Sequence, residues 1–219
     1  MANEPIIDTS TTYNIDYTTD DIVNAWQTQR LRMIRIEPGD MHVRKALAVL
    51  QQDPVVTALA SSAALQPVGG PDLDFAIGAI SQAQLGVAVA LLPTEPEAAS
   101  SDKPVIVGNM TLGWGGLSAR TAHHRTASVG ITLARQWQGR GYGAEAMGWL
   151  LDWAFAHAGL HTVSLTAAAF NQRAIGMYKK VGFRVEGRHK ERIFFNHGWH
   201  DEIAFGITED EWALLRGRK

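Results

Sequence analysis

The sequence predicts an α/β chain built on a mixed sheet with four or more flanking helices, and three observations carry that expectation. Residues 129–133 form a β-like run feeding a glycine-rich turn, Gly139-Arg140-Gly141-Tyr142-Gly143, that opens an amphipathic helix. A strand at 162–168 and a helix from Asn171 follow, completing a β-α-β-α unit. Two further runs, 192–195 and 199–207, flank Asn196-His197-Gly198 as a hairpin.

Taken in order, Thr19-Asp20 can cap a short helix ahead of a strand at 31–36. Asp40 caps an amphipathic helix through Leu50, and Asp53-Pro54 ends it, because the residue before a proline is pushed out of helical backbone. Residues 67–71 read as a loop. Leu73, Ala76, Ile77 and Ile80 then fall at helical spacing, and residues 86–92 form a buried strand ended by Pro93. Residues 75–92 are eighteen positions without a charge, the length of a minimal membrane span. Ser81, Gln82 and Gln84 interrupt them, and the pattern is helix, turn, strand. Residues 93–104, rich in Pro, Glu, Ala and Ser, predict a mobile connection. Strands at 105–112 and 127–133 are joined by a long segment, 113–125, whose His123-His124-Arg125 tip is a candidate to reach substrate.

Beyond the glycine turn, Met147, Leu150, Leu151, Ala154 and Ala158 mark the inner face of a helix closed at Gly159. Val163, Leu165 and Ala167 alternate as a strand. Asn171 caps a helix with Ala174, Ile175, Tyr178 and Val181 inward, closed by Gly182-Phe183, and Thr208 with Glu211 forms a capping box for a last helix.

With 219 residues and 46% hydrophobic composition, one domain spanning 1–219 is expected, with 1–25 as an N-terminal extension. A net charge of −2 supplies no basic face for nucleic acid. The chain has no cysteine, which excludes a thiol nucleophile and thiolate metal sites. Its first residues lack a basic segment and an apolar core, so a cytoplasmic protein is expected, with no membrane association, and Asn109-Met110-Thr111 is a chance sequon. A homodimer is left open.

The glycine turn has the character of a phosphate cradle. Gly139, Gly141 and Gly143 allow positive φ and close approach, and the first N–H groups of the helix point at an anion. Three nucleotide-binding classes share that character. A Walker loop needs Gly-Lys-Ser/Thr, whereas Gly143 is followed by Ala144-Glu145. The degenerate dinucleotide pattern is satisfied, but the next strand ends in Ala167-Ala168-Ala169-Phe170 without the acid that binds ribose hydroxyls, and residues 134–138 separate the glycines from their strand.

The third class is the pyrophosphate arm of coenzyme A. Gln138-Gly139-Arg140-Gly141-Tyr142-Gly143 resembles the Gln/Arg-x-x-Gly-x-Gly/Ala signature of the GNAT N-acetyltransferase superfamily. Downstream, Asn171, Ala174, Tyr178, Gly182 and Phe183 match its Asn-x-x-Ala-x-x-x-Tyr-x-x-x-Gly-Phe segment in order. Glu186-Gly187-Arg188 and residues 196–201 are similar to the tail of the RimJ/RimL-like branch, which acetylates ribosomal-protein N-termini. The resemblance covers about residues 105–207 and implies the GNAT fold: a mixed, mostly antiparallel twisted sheet of six or seven strands flanked by helices. It implies acetyl-CoA as co-substrate, no metal, and a primary amine as acceptor, on a protein N-terminus or a small molecule. The family's usual proline after the cofactor strand is replaced by Ala134-Arg135, and the first third carries no recognised motif, so acceptor choice is expected to reside there.

Aminolysis of a thioester sets the chemical requirements. An amine with a pKa near 10.4 must lose a proton before attack, the oxyanion needs a donor, and the departing thiolate needs a proton. The resemblance places Tyr178 near the sulfur as proton donor. Ile131 and Leu133 would bind the pantetheine arm through strand backbone, as an added strand binds a sheet, and Thr132 between them is also expected to bind cofactor. Gln138, Gly139, Arg140, Gly141, Tyr142 and Gly143 would cradle phosphate, with Asn171, Arg173 and Ala174 at the next helix start. Arg135, Lys179 and Lys180 are further cations nearby, and Arg140, inside the loop, is the favoured phosphate ligand. Candidates for the base are His124, Asp74 and Glu202, with a water relay as the other route. Trp137 and Trp199 are placed to border ligand. His197 and His200 fall on opposite sides of a strand and do not read as a metal pair. The alternative is a non-catalytic CoA-binding or regulatory module of the same fold.

Overall fold

Asp40 and Asp53 begin two successive helices by the same device. Asp40 Oδ1 accepts from the N–H groups of His42 (2.9 Å) and Val43 (3.1 Å) to open helix α1 (Met41–Gln52). Asp53 accepts from Val55 (2.9 Å) and Val56 (3.3 Å) to open α2 (Pro54–Ala60). Pro54 ends α1 as expected, yet it also occupies the first turn of α2, where its missing N–H has no cost. The sequence pattern missed α2 for that reason.

The computed structural model describes Ile22, residues 24–116 and residues 118–217. The Thr19-Asp20 cap lies outside the described residues, as does most of the N-terminal extension. The remaining elements are β1 (Leu31–Arg35), α3 (Gly70–Gln82), β2 (Leu85–Leu91), β3 (Ile106–Leu112), β4 (Thr126–Leu133), α4 (Tyr142–Ala156), β5 (Thr162–Ala168), α5 (Gln172–Val181), β6 (Arg184–Phe195), β7 (Gly198–Thr208) and α6 (Glu209–Leu215). They build one seven-stranded sheet in the order β1-β2-β3-β4-β5-β7-β6. Every pair is antiparallel except β4 with β5, so the sheet is mixed and mostly antiparallel, as the resemblance implies.

Two apolar layers sandwich this sheet. Met147, Leu150 and Leu151 of α4 are fully buried with Phe205 and Ile207 on one face. Val43, Leu47, Leu50, Ile77 and Ile80 of α1 and α3 bury Ile36 and Ala88 on the other. Residues 75–92 divide into α3 and β2, and among the described residues no helix is long and apolar enough to cross a membrane.

Three segments differ from expectation. Strand β6 runs from Arg184, well before the predicted 192–195, because its first half is charged and exposed and carries no apolar alternation. Its register against β7 breaks between His189 and Ile193. There Glu191 takes φ 51° and donates its N–H to Asp201 (2.8 Å), which together with Arg188 holds the Asp201 carboxyl below its ordinary pKa. Residues 93–104 are fastened where a mobile connection was expected: Glu95 accepts from the Tyr142 hydroxyl (3.2 Å) and Glu97 pairs with Arg140 (2.7 Å). The His123-His124-Arg125 tip sits at the start of β4, where Arg125 donates to the Gly159 carbonyl (2.5 Å) and pairs with Glu209. Eight strand residues at roughly 3.3 Å each separate it from the glycine turn, and it does not reach the candidate site.

Candidate active site

The parallel pair in the sheet creates the site. Strands β4 and β5 are in register only from Thr126 with Thr162 to Ser128 with Ser164, and then they part. On its other side β4 stays bonded to β3. The N–H of Ala134 donates to Val107 and that of Gly113 to the Ser128 carbonyl. Antiparallel alternation therefore turns the backbone groups of Val129, Ile131 and Leu133 toward β5, into the gap. A cleft of about 510 Å³ occupies it. Among those groups the Leu133 carbonyl accepts from Gln138 Nε2 (2.9 Å).

The cleft runs into the N-terminus of α4. Gly141 precedes the helix at φ 88° and no side chain caps the first turn; Gly139 has φ 78°. Gly143 differs from expectation: it is helical, and a Cβ there would make ordinary contacts with Leu133 (3.5 Å) and Met177 (3.8 Å). Gly143 lines the cleft without needing a special φ.

Of the predicted residues, Ile131, Thr132, Leu133, Gln138, Gly139, Gly141, Gly143, Asn171, Arg173, Ala174 and Tyr178 all line this cleft. Arg140 and Tyr142 do not. The Arg140 guanidinium lies 4.9 Å from the Trp137 ring centroid and pairs with Glu97, while the Tyr142 ring is buried below Arg30. The cations that do line the cleft are Arg173, whose Nη1 donates to Gln138 Oε1 (2.9 Å), and Lys180. Arg135 instead pairs with Asp53 (2.5 Å), and its guanidinium holds that carboxyl below the usual carboxylate range.

Asn171 acts in two directions. Its Oδ1 accepts from the Ala174 N–H (3.2 Å), capping α5, and its Nδ2 donates to the Leu59 carbonyl of α2 (3.1 Å). Tyr178 packs against Phe183 and Phe205, with ring centroids 6.0 and 5.8 Å away. Its hydroxyl has no hydrogen-bond partner among the described residues, and burial pushes its pKa up to about 12.

A second cavity, about 590 Å³, opens on the α1–α3 side and shares Val56, Leu59, Ala60, Thr132, Thr166 and Ala167 with the cleft. Sequence reasoning missed this wall together with α2. Of the three base candidates only Glu202 lines it; Asp74 is paired with Arg44, and His124 is on the distant tip. Trp114 lines it, whereas neither Trp137 nor Trp199 borders either cavity: Trp199 packs on Phe194 at 5.2 Å, and Trp137 lies under Arg140. His200 faces the Phe195 carbonyl (3.2 Å).

Comparison with known proteins agrees with this geometry. The chain is 27% identical over 89 residues to the putative ribosomal N-acetyltransferase YdaF of Bacillus subtilis, covering 41% of this chain and 49% of that one. It is 33% identical over 89 residues to the spermidine N(1)-acetyltransferase of Vibrio cholerae, covering 41% and 51%. The matches thus span about half the length of these curated relatives. The crystal structure of the Vibrio cholerae spermidine N-acetyltransferase in complex with CoA and spermine superposes with a TM-score of 0.66 at 19% identity, over 84% of this chain and 99% of that one. The family model for the acetyltransferase (GNAT) domain matches residues 30–184, and the chain belongs to that family.

Proposed function

We propose that the protein is an N-acetyltransferase that moves acetyl from acetyl-CoA to a primary amine, the amine attacking directly in a ternary complex. The observation that carries this reading is the unpaired edge of β4 leading into an uncapped helix start. A strand-like pantetheine arm ending in a pyrophosphate needs both features, in that order. The relatives support the acceptor kinds, since one is described as ribosomal and another as acting on spermidine.

The residues present fit acetyl-CoA. Val129 and Ile131 would pair with the pantetheine amides, and the first turn of α4 would face the pyrophosphate, with Arg173 and Lys180 adding positive charge. Asn171 and Ala174 would border it at the start of α5. Acetyl-CoA supplies an acyl group already activated as a thioester. Tyr178, neutral at any physiological pH, holds a donor hydroxyl in the cleft. Burial holds its pKa at about 12, so the hydroxyl stays protonated and would donate a hydrogen bond to charge developing on the departing sulfur.

Thermal unfolding with added ligands tests the cofactor half of the proposal. Acetyl-CoA should raise Tm and NAD and ATP at equal concentration should not, because only a ligand of the native state stabilises it. Stabilisation by NAD alone would overturn it.

A further inference from the structure

The second cavity carries information about the acceptor that the cofactor cleft does not, although an acceptor site there presupposes the acetyltransferase reading. Across one face of the sheet, Asn109 of β3, Thr132 of β4, Thr166 and Ala168 of β5 and Glu202 of β7 stand side by side. Their register pairs are Asn109 with Thr132, Thr166 with Ala204, and Ala168 with Glu202. Thr132 and Thr166 also line the cofactor cleft, so a molecule in the cavity meets the arm bound there.

The walls are apolar and neutral. Leu47, Leu50, Val56, Leu59 and Ile80 come from the helices, and the rim at residues 60–64 is Ala-Ser-Ser-Ala-Ala. Among the described residues no Lys, Arg or His lines the cavity. Two carboxylates do, and they are not equivalent. Asp72 is exposed at the first turn of α3, where it accepts from the Gly69 N–H at 2.8 Å. Glu202 is largely covered, its side chain 16% exposed, and its ion-pair partner among the described residues is Arg192 at 3.3 Å, which is itself 64% exposed and free to swing into solvent. Ile193, where the β6 register resumes opposite His200, lines the cavity, and Arg192 does not.

We infer that the acceptor is a monoamine: one primary amine, held by Glu202, on an apolar or neutral body. One inner carboxylate neutralises one ammonium group. Among the described residues the other lining carboxylate, Asp72, is exposed and accepts from the Gly69 N–H, so further ammonium groups deeper in the cavity would lie against aliphatic walls or neutral hydroxyls, and a cation moved out of water without a partner is strongly disfavoured. A polyamine is therefore a poor substrate for this chain, in contrast to the spermidine acetyltransferases among its relatives.

Thiol release from acetyl-CoA by the full chain tests this with three acceptors: 2-phenylethylamine, a lysine-free peptide with a free alanyl N-terminus, and spermidine. At least one monoamine should show kcat/KM about tenfold or more above that of spermidine, and which one does so separates a small-molecule from a peptide source. Glu202→Gln should raise KM for that monoamine about tenfold, with a smaller change in kcat. It should leave the calorimetric affinity for acetyl-CoA unaltered, because Glu202 does not line the cofactor cleft. Spermidine equal to or better than both monoamines would overturn the inference, as would an unchanged KM in a folded Glu202→Gln protein. Thiol release by none of the three, with acetyl-CoA still bound, would instead contradict the transfer reaction on which the inference depends.

Discussion

Asn171 Nδ2 and the Leu59 carbonyl lie 3.1 Å apart, and that bond joins the helix start beside the cofactor cleft to the wall of the second cavity. At its other end α2 is tied by Asp53 to Arg135, just beyond β4. The helix that lines both cavities is thus held at both ends by residues next to the cofactor cleft.

Asn171→Ser separates the two jobs of that side chain. Serine still caps α5 but cannot reach Leu59. Tm should change little, while the acceptor KM should rise about two- to tenfold, the worth of one hydrogen bond. Steady-state kinetics at saturating acetyl-CoA gives the answer; an unchanged acceptor KM would show that α2 stands without the bond.

Two of the three cradle glycines, Gly141 and Gly143, differ in kind. A Cβ at Gly141 would sit 3.1 Å from Arg30 Nη2 on a backbone at φ 88°, whereas one at Gly143 meets only ordinary contacts. Gly141→Ala should cost about 1–2 kcal/mol of stability in denaturant titration, and Gly143→Ala should cost little or nothing. Equal losses would mean that Gly141 is not held in that conformation.

Arg173 and Arg140 form a matched pair for calorimetry. Arg173→Ala should weaken acetyl-CoA binding by about 1.5–3 kcal/mol, as expected for a charged bond to phosphate. Arg140→Ala should change it by less than about 1 kcal/mol, since that guanidinium is already engaged by Glu97 at the surface. The reverse order would restore Arg140 as the phosphate ligand.

Protonation of Asp53 should matter only in acid. Arg135 and the N–H groups of Val55 and Val56 hold its carboxyl below the ordinary value. The stability it contributes is therefore fully present above about pH 3.9 and is lost as pH falls through the lower, folded-state value. Between about pH 5 and 8 the stability of wild type relative to Asp53→Asn should be flat; a slope there would contradict the assignment.

How much was legible beforehand depended on the physical signal each element carries. Gly139 and Gly141 serve a turn and Asn171 a cap, so order and spacing in the chain mark them, whereas Tyr178 stands out only through the family resemblance. Met147, Leu150 and Leu151 showed helical spacing because one face of α4 is buried. Helix α2 was hidden by a proline that both stops and starts a helix. The charged first half of β6 had no apolar alternation to read. The directions of Arg140 and Arg135 depend on Glu97 and Asp53, 43 and 82 positions away, which no local pattern reveals. Glu202 stood level with His124 and Asp74 until the register of β5 and β7 placed it on a cavity wall.

Tyr178→Phe removes only the hydroxyl. Because that group acts as a hydrogen-bond donor with a pKa of about 12, turnover should fall about 10–150-fold, the worth of one bond to a charged partner. Acetyl-CoA affinity should hold, and wild-type kcat should show no Tyr178-dependent decline below about pH 10. Wild-type turnover where chemistry limits the rate would remove Tyr178 from the mechanism.

Product identification tests acetyl transfer to an amine most sharply. The purified chain is incubated with acetyl-CoA and a panel of monoamines, polyamines and peptides, thiol release is followed, and each acceptor is analysed by mass spectrometry. Stoichiometric release of CoA thiol and addition of one acetyl group to a primary amine are expected, with no acetyl group left on the protein. Tight acetyl-CoA binding with no acetylated product from any amine would contradict it and would identify a CoA-binding module that keeps the fold without the reaction.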